Sequence, residues 1–332
     1  MSETRPILVT GATGFVGSAV ARALHKRGHA LRLLARAGSD RSLVEGLGEV
    51  VTGDLRDPAS LRAAVQGCSH LYHVAADYRL WVPRPEPMML ANVEGSRSLL
   101  LAARDAGVER IVYCSSVAAL GLVGDGTPGT EDTEVHADKI VGVYKQSKYR
   151  AEQAVRELVR SEGVPAVIVN PSTPVGPRDI KPTPTGKMVL DAAAGRMPAY
   201  LDTGLNIVHV DDVAEGHLLA MERGRIGEAY ILGGTDLAMP HMLAMIDDVV
   251  GRPRQRRTRL PNRALVPMAL GMEAAGWLFG IEPLVTREML AMARKRMYFS
   301  SDKARQELGY SARPPRHAFA DAVAWFREQG RL

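Results

Sequence analysis

From the start of the chain to about residue 170, short runs of β-branched or aliphatic residues alternate with longer segments of helical spacing. That rhythm predicts parallel strands joined by crossover helices. The apolar runs place strands at Ile7–Val9, Leu31–Ala35, Val50–Thr52, His70–Ala75, Arg110–Ser115 and Ala166–Asn170. Between them, apolar positions recur every three or four residues in Ser18–Arg27, Pro58–Val65, Asn92–Ala106 and Val143–Ser161, the period of an amphipathic helix. The expected class is α/β, a Rossmann-type doubly wound parallel sheet with a smaller, mainly helical lobe.

After Pro171 the pattern breaks. Pro171–Gly186 is rich in Pro, Thr and Gly, too polar and interrupted for a core element, and reads as a loop crossing between lobes. Asn206–Val210 reads as a further buried strand, with Asp211 or Asp212 placed to cap a helix running to Arg223. Ala229–Leu232 reads as a final strand returning to the sheet, and Met239–Leu332 as mostly helical. The expected division is therefore 1–178 with 205–236 for the sheet domain, and 179–204 with 237–332 for the smaller lobe. No internal repeat interrupts this plan.

Composition narrows the setting. A chain of 332 residues, 46% hydrophobic, can bury a main core with a smaller one against it. The two cysteines, Cys68 and Cys114, have neither metal-ligand spacing nor a disulfide pattern, which favours a reducing cytosol and no metal. Met1–Pro6 carries no apolar export segment. The formal charge of +5 is dispersed apart from Arg252–Arg259, so it points to an anionic cofactor or substrate and away from nucleic acid.

Candidate chemistry begins at Thr10-Gly11-Ala12-Thr13-Gly14-Phe15-Val16-Gly17, directly after the first strand and opening a helix. Unpaired backbone N–H groups and the positive end of a helix dipole would meet a pyrophosphate there. Gly11 permits the tight turn, Gly14 lets the backbone approach phosphates, and Gly17 lets the helix pack closely. Arg36, after the second strand, stands where an NAD-selective site would carry an acid, and with Ser39 and Arg41 it suits a 2′-phosphate. NADP is thus expected over NAD. Asp54 and Leu55, after the third strand, are placed to meet an adenine edge, although Asp54 could instead cap the helix near Pro58.

Tyr144 and Lys148 are four residues apart at the start of a helical segment, so phenol and ammonium share one face. A fixed ammonium and a cationic nicotinamide would favour the phenolate, allowing Tyr144 to exchange a proton with a substrate hydroxyl. Ser115 and Ser116 end the fifth strand. Ser116 is expected to hydrogen-bond the reacting oxygen and Ser115 to support the turn.

Together, Thr10-Gly-x-x-Gly-x-x-Gly17, His73-Val-Ala-Ala76, Asn92-Val-x-Gly95, Ser115-Ser116, Tyr144-x-x-x-Lys148 and Asn170-Pro-x-x-x-x-Gly-Pro177 resemble the extended short-chain dehydrogenases, the NAD-dependent epimerase/dehydratase family, over essentially the whole chain. More narrowly, the run from Asn170 to Gly186 with Asp202–Asp212 is similar to hopanoid-associated sugar epimerases, relatives of dihydroflavonol reductases. The resemblance implies that Ala75, Ala76 and Asn92 lie near the nicotinamide, that Lys148 holds its ribose, and that Pro171 borders its ring.

Val117-Ala118-Ala119 follows Ser116 where nucleotide-sugar dehydratases of the family carry an acidic pair, which argues against dehydration. Epimerisation of a sugar-bearing or lipid-linked substrate then leads, with ketone reduction as the alternative. A nucleotide sensor without turnover is a third reading, opposed by the intact Ser116, Tyr144 and Lys148. Candidate substrate contacts are Asp77, Tyr78, Arg79, Asn170, Thr183, Thr185 and Asn206, whereas His209, inside an apolar run, reads as a hydrogen-bonded core residue. The apolar stretch 263–285 is broken by Pro267, Gly271, Gly276 and Pro283, too often for a spanning helix. It reads as a buried lobe helix, with contact at the inner membrane surface and a homodimer left open.

Overall fold

The computed structural model describes residues 5–79, 81–124, 126–136, 140–280, 283, 285–293 and 295–332. The export reading of the first four residues, and positions 281, 282 and 284 of the apolar stretch, lie outside the described residues.

Seven parallel strands form the central sheet: β1 (Ile7–Thr10), β2 (Leu31–Ala35), β3 (Glu49–Thr52), β4 (His70–His73), β5 (Arg110–Cys114), β6 (Ala166–Pro171) and, after three strands elsewhere, β10 (Ala229–Leu232). Their spatial order is β10-β6-β5-β4-β1-β2-β3, so the winding reverses between β1 and β4. This is the Rossmann order, and such a reversal opens a crevice at the carboxyl ends of the strands.

Helices cover both faces. α1 (Phe15–Lys26) and α7 (Val210–Arg223) bury Val20, Leu24, Val213 and Leu218 with Val9 and Val169 on one side. On the other, α2 (Pro58–Val65), α4 (Gly95–Asp105) and α5 (Val143–Glu162) bury Leu61, Leu99, Leu100, Val155 and Leu158 against Leu8, Leu71 and Ile111. The helix expected from Asn92 in fact starts earlier, as α3 (Glu86–Met89), and passes through a π-helical turn over Leu90–Glu94 before α4. The cap of α2 is Asp57, whose side chain accepts from Ala59 N, and not Asp54.

The second sheet joins β7 (Thr173–Val175), β9 (Gly204–His209), β11 (Thr235–Ala238) and β13 (Arg296–Met297). A further pair links β8 (Ala199–Leu201) and β12 (Thr258–Leu260). With α6 (Pro184–Ala193), α8 (Met239–Val250) and α12 (Pro315–Glu328), a third core collects Val189, Met242, Ile246, Ile207, Phe319 and Phe326. Two expectations need correcting here. The run 171–186 is not a plain loop, because Thr173–Val175 pairs in parallel with Ile207–His209 and Thr183 caps α6. The cap of α7 is His209, which accepts from Asp211 N, while its other ring nitrogen lies 3.0 Å from Asp321 Oδ2. The remaining elements are α9 (Val266–Phe279), α10 (Arg287–Ala293) and α11 (Asp302–Leu308). Among the described residues no helix is long and apolar enough to cross a membrane.

Candidate active site

The candidate residues converge on one edge because each follows the carboxyl end of a parallel strand. Gly11–Gly17 follow β1, Arg36 β2, Asp54 and Leu55 β3, Ala75–Tyr78 β4, Ser116 β5 and Pro171 closes β6, while Tyr144 and Lys148 open α5. Gly11 has φ +71, and a Cβ there would lie 2.7 Å from Ala75 N, so the turn needs glycine for both conformation and close approach. A Cβ on Gly17 would overlap the Gly11 carbonyl.

Whether these residues fit a dinucleotide is judged at the start of α1. Its cap, Gly14, makes no side-chain capping bond, and no acid occupies the first turn, so the positive helix end is left uncompensated. A Cβ on Gly14 would meet only Gly11 O, at 3.2 Å, so its other side is open. The turn fits a pyrophosphate across Thr13, Gly14, Phe15 and Val16. Arg36 is exposed, yet its charge acts on Asp54, Asp77 and Tyr78, which puts it at the rim of this crevice. Asp54 is gripped by Arg56 at 2.8 and 2.9 Å, and that bonding holds its carboxyl down to about 2.

At the reacting end, the Tyr144 phenol lies beside the Ser116 hydroxyl, whose oxygen accepts from Ala118 N at 3.1 Å. Ser115 points the other way and donates to Glu152 Oε2 at 2.6 Å. Lys148 is 4% exposed and donates to Cys114 O at 3.0 Å, fixing its ammonium one turn beyond the phenol. The expected lowering of the phenol's pKa is not found in the protein itself. Burial raises it, and the neighbouring Ser116 hydroxyl opposes this only in part. Burial likewise lowers the ammonium of Lys148.

Two buried networks behind the site escaped the sequence reading. In the first, Thr10 Oγ1 meets His73 Nδ1 at 2.8 Å and accepts from Ala75 N, while His73 Nε2 meets Ser96 Oγ at 2.9 Å. Ser96 spends its hydrogen on Asn92 O at 2.7 Å, so Nε2 must be the protonated ring nitrogen and Thr10 must donate to Nδ1. Burial holds His73 down to about 3, which keeps it neutral. In the second, Glu152 accepts Ser115, Asn170 Nδ2 at 2.8 Å and both guanidinium contacts of Arg156 at 2.8 and 3.0 Å. Its signal was present: Tyr144, Lys148, Glu152 and Arg156 are spaced by four and line one helical face.

Several expected contacts prove to be internal. Asn92 is 2% exposed and its amide is consumed by Asp77 N, Asp77 O and Ser147 Oγ, so it positions the loop after β4 and does not present itself to a cofactor. Asn170, fully buried, commits its amide nitrogen to Glu152 and Ser116 O, while its Oδ1 has no partner among the described residues. Asn206, 1% exposed, binds Asp236 Oδ1, Phe299 O and Gly234 N. Thr183 donates to Asp179 Oδ2 and accepts from Gly186 N. For Asn92, Asn206 and Thr183 the side chain is committed to partners within the protein, whereas Asn170 Oδ1 is buried with no partner among the described residues. Asp77 is paired with Arg79 at 2.5 Å at the rim, and Tyr78 is 49% exposed beside it.

Past Ser116 a cavity of about 130 Å³ is walled by Val117, Leu120, Leu122, Ile140, Val141 and Met297, with Glu134, His136, Lys145 and Lys295 also in its lining. Lys145 has Met297 Sδ at 3.9 Å as its hydrogen-bond partner, and burial lowers its pKa.

Comparisons with known proteins agree with this geometry. The profile of the NAD dependent epimerase/dehydratase family matches residues 7–233. The crystal structure of gox2253 superposes with a TM-score of 0.89 at 61% identity, covering 99% of each chain. A Synechocystis protein named "Putative dihydroflavonol 4-reductase" is 42% identical over 97% of this chain and 94% of its own. Sterol demethylase protein B of Methylococcus capsulatus is 36% identical over 98% and 99%.

Proposed function

The chain belongs to the NAD-dependent epimerase/dehydratase family and is an NAD(P)-dependent oxidoreductase or epimerase; from that premise we propose that it uses NADP to interconvert a hydroxyl and a ketone on a bulky, largely apolar, lipid-like substrate. The observation that carries this reading is the Tyr144 phenol beside the Ser116 hydroxyl, with their chain neighbours Val117 and Lys145 lining a cavity walled mainly by apolar residues. A bound nicotinamide would supply the hydride donor or acceptor. Ser116 would hold the substrate oxygen, Tyr144 would give its phenolic proton to that oxygen in reduction, and Lys148 would orient the ribose. The glycine turn with Arg36 would hold the phosphates, Asp54 and Leu55 would border the adenine, and Ala75, Ala76 and Pro171 would border the nicotinamide. The sheet domain (1–178 and 205–236) would carry the cofactor and the smaller lobe (179–204 and 237–332) would cover the substrate.

Two relatives named for a dihydroflavonol and a sterol, both fused-ring compounds, support an apolar substrate. The expectation of a hopanoid-associated sugar is kept for its lipid part. Asn170, the residue that suggested the sugar, is turned inward. Incubation with NADPH and a panel of polycyclic ketones and lipid-linked sugars separates the readings. Stoichiometric NADPH oxidation identifies a reductase, inversion of a centre without net consumption an epimerase, and tight NADPH binding without either a sensor. Tyr144→Phe is expected to lower turnover by about 10²–10⁴-fold while cofactor affinity stays within a few-fold.

A further inference from the structure

Helix α9 (Val266–Phe279) reverses the ordinary relation between hydrophobicity and burial. It is apolar on all sides, yet only Ala269 and Gly276 of its fourteen residues are buried. Trp277, Leu278 and Phe279 are 70%, 78% and 73% exposed, and Met268 and Leu270 are 41% and 45% exposed. Its acid, Glu273, is neutralised by Arg287, which donates from its backbone N at 2.6 Å and from Nε at 2.8 Å. A helix apolar all round is expected inside a core or in lipid. The helix is too short to span a bilayer.

We propose that α9 docks on an anionic lipid surface. Three consecutive helical residues point about 100° apart, so Trp277, Leu278 and Phe279 span a little over half of the helix circumference. A rigid partner face covers one such direction, whereas a fluid apolar phase surrounds all three. The segment leading into α9 supplies matching charge: Arg256 and Arg263 are exposed and form no ion pair among the described residues, and Arg259, paired with Asp202, is two-thirds exposed. Exposed arginines beside an apolar helix end bearing tryptophan and phenylalanine offer such a surface both charge attraction and apolar area to bury. α10 packs on α9 and contributes Ala291 to the cavity wall, so the anchor lies one helix from the place where substrate would sit. The docking inference rests on exposure and charge and is tested without substrate.

Flotation of the whole protein with phosphatidylglycerol-containing vesicles and with phosphatidylcholine vesicles tests it. The protein is expected to rise with the anionic vesicles, to rise at least tenfold less with the zwitterionic ones, and to be released by salt. Its tryptophan emission is expected to shift to the blue and to be quenched by brominated acyl chains, with the quenching lost in Trp277→Phe. Leu278→Asp combined with Phe279→Asp is expected to abolish flotation while NADPH binding is unchanged, which separates lost docking from lost folding. Protein that stays at the bottom with both vesicles, that binds both equally, or that floats as well with the double substitution overturns the proposal. So does a dimer in solution that the double substitution splits, which would make a second copy of this chain the partner of α9.

Discussion

Tyr144 carries the proton in the proposed reaction, and burial keeps that proton in place. The sign of the pH dependence follows. In the oxidative direction the phenol must first be deprotonated, so turnover is expected to climb with pH towards its raised pKa. In the reductive direction turnover is expected to hold through neutrality and fall only at alkaline pH, and initial rates measured in both directions check this. Arg36→Asp is expected to weaken NADPH binding about tenfold or more while NADH binding holds or improves. Equal Michaelis constants of the native protein for NADPH and NADH would remove the assignment. The glycine turn and the Tyr144/Lys148 pair were legible because their spacing has meaning within one turn or one helical face. Asn92, Asn170, Asn206 and Thr183 were not: a side-chain amide or hydroxyl at an element end has the same sequence signature whether it meets ligand or backbone.

Among the elements, strands β2 and β10 and helix α2 follow the apolar pattern to the residue, since each buries a continuous face. The π-helical turn at Leu90–Glu94 has no such signature; within it the Asn92 amide is held between Asp77 and Ser147. The segment 171–186 misled for a similar reason: its polar residues are spent within the protein. Asp179 is 2% exposed and accepts from Thr183 N and Thr183 Oγ1 at 2.9 Å, and burial pushes it up to about 6. Its folded pKa thus lies above the unfolded value of about 3.9. Between these values the folded protein holds a proton that the unfolded chain has lost, so this group's contribution to stability falls as pH rises through that window, by about 2–3 kcal/mol. Asp179→Asn is expected to flatten the dependence of urea stability on pH between pH 4 and 6, and an unchanged slope counts against this account. A side chain at Gly186 would collide with the same carboxylate, which explains the glycine in the first turn of α6.

For the whole molecule, alternating strand and helix periods were enough to foresee the doubly wound sheet, because helices follow β1, β3, β4 and β5 and cover the sheet. Of the second sheet only β9 was legible, as the run Asn206–Val210; β7, β11 and β13 are short and join it only through long-range pairing. α9 was expected to be buried from its composition and is the exposed exception. Hydrogen exchange of the protein free of lipid should show this gradient, with β1, β4 and β5 protected to near the global stability and α9 exchanging at least a hundredfold faster. Comparable protection of α9 would mean that something covers it already in solution. The line from Thr10 through His73 to Ser96 bears on how the enzyme is titrated. Every hydrogen along it has one permitted address, and the imidazole gains no charge until strong acid, so the joint between the glycine turn and the loop after β4 keeps its setting throughout an ordinary assay. An inflection in turnover near neutrality or above then reports the groups that handle substrate, not a loosening of their foundations.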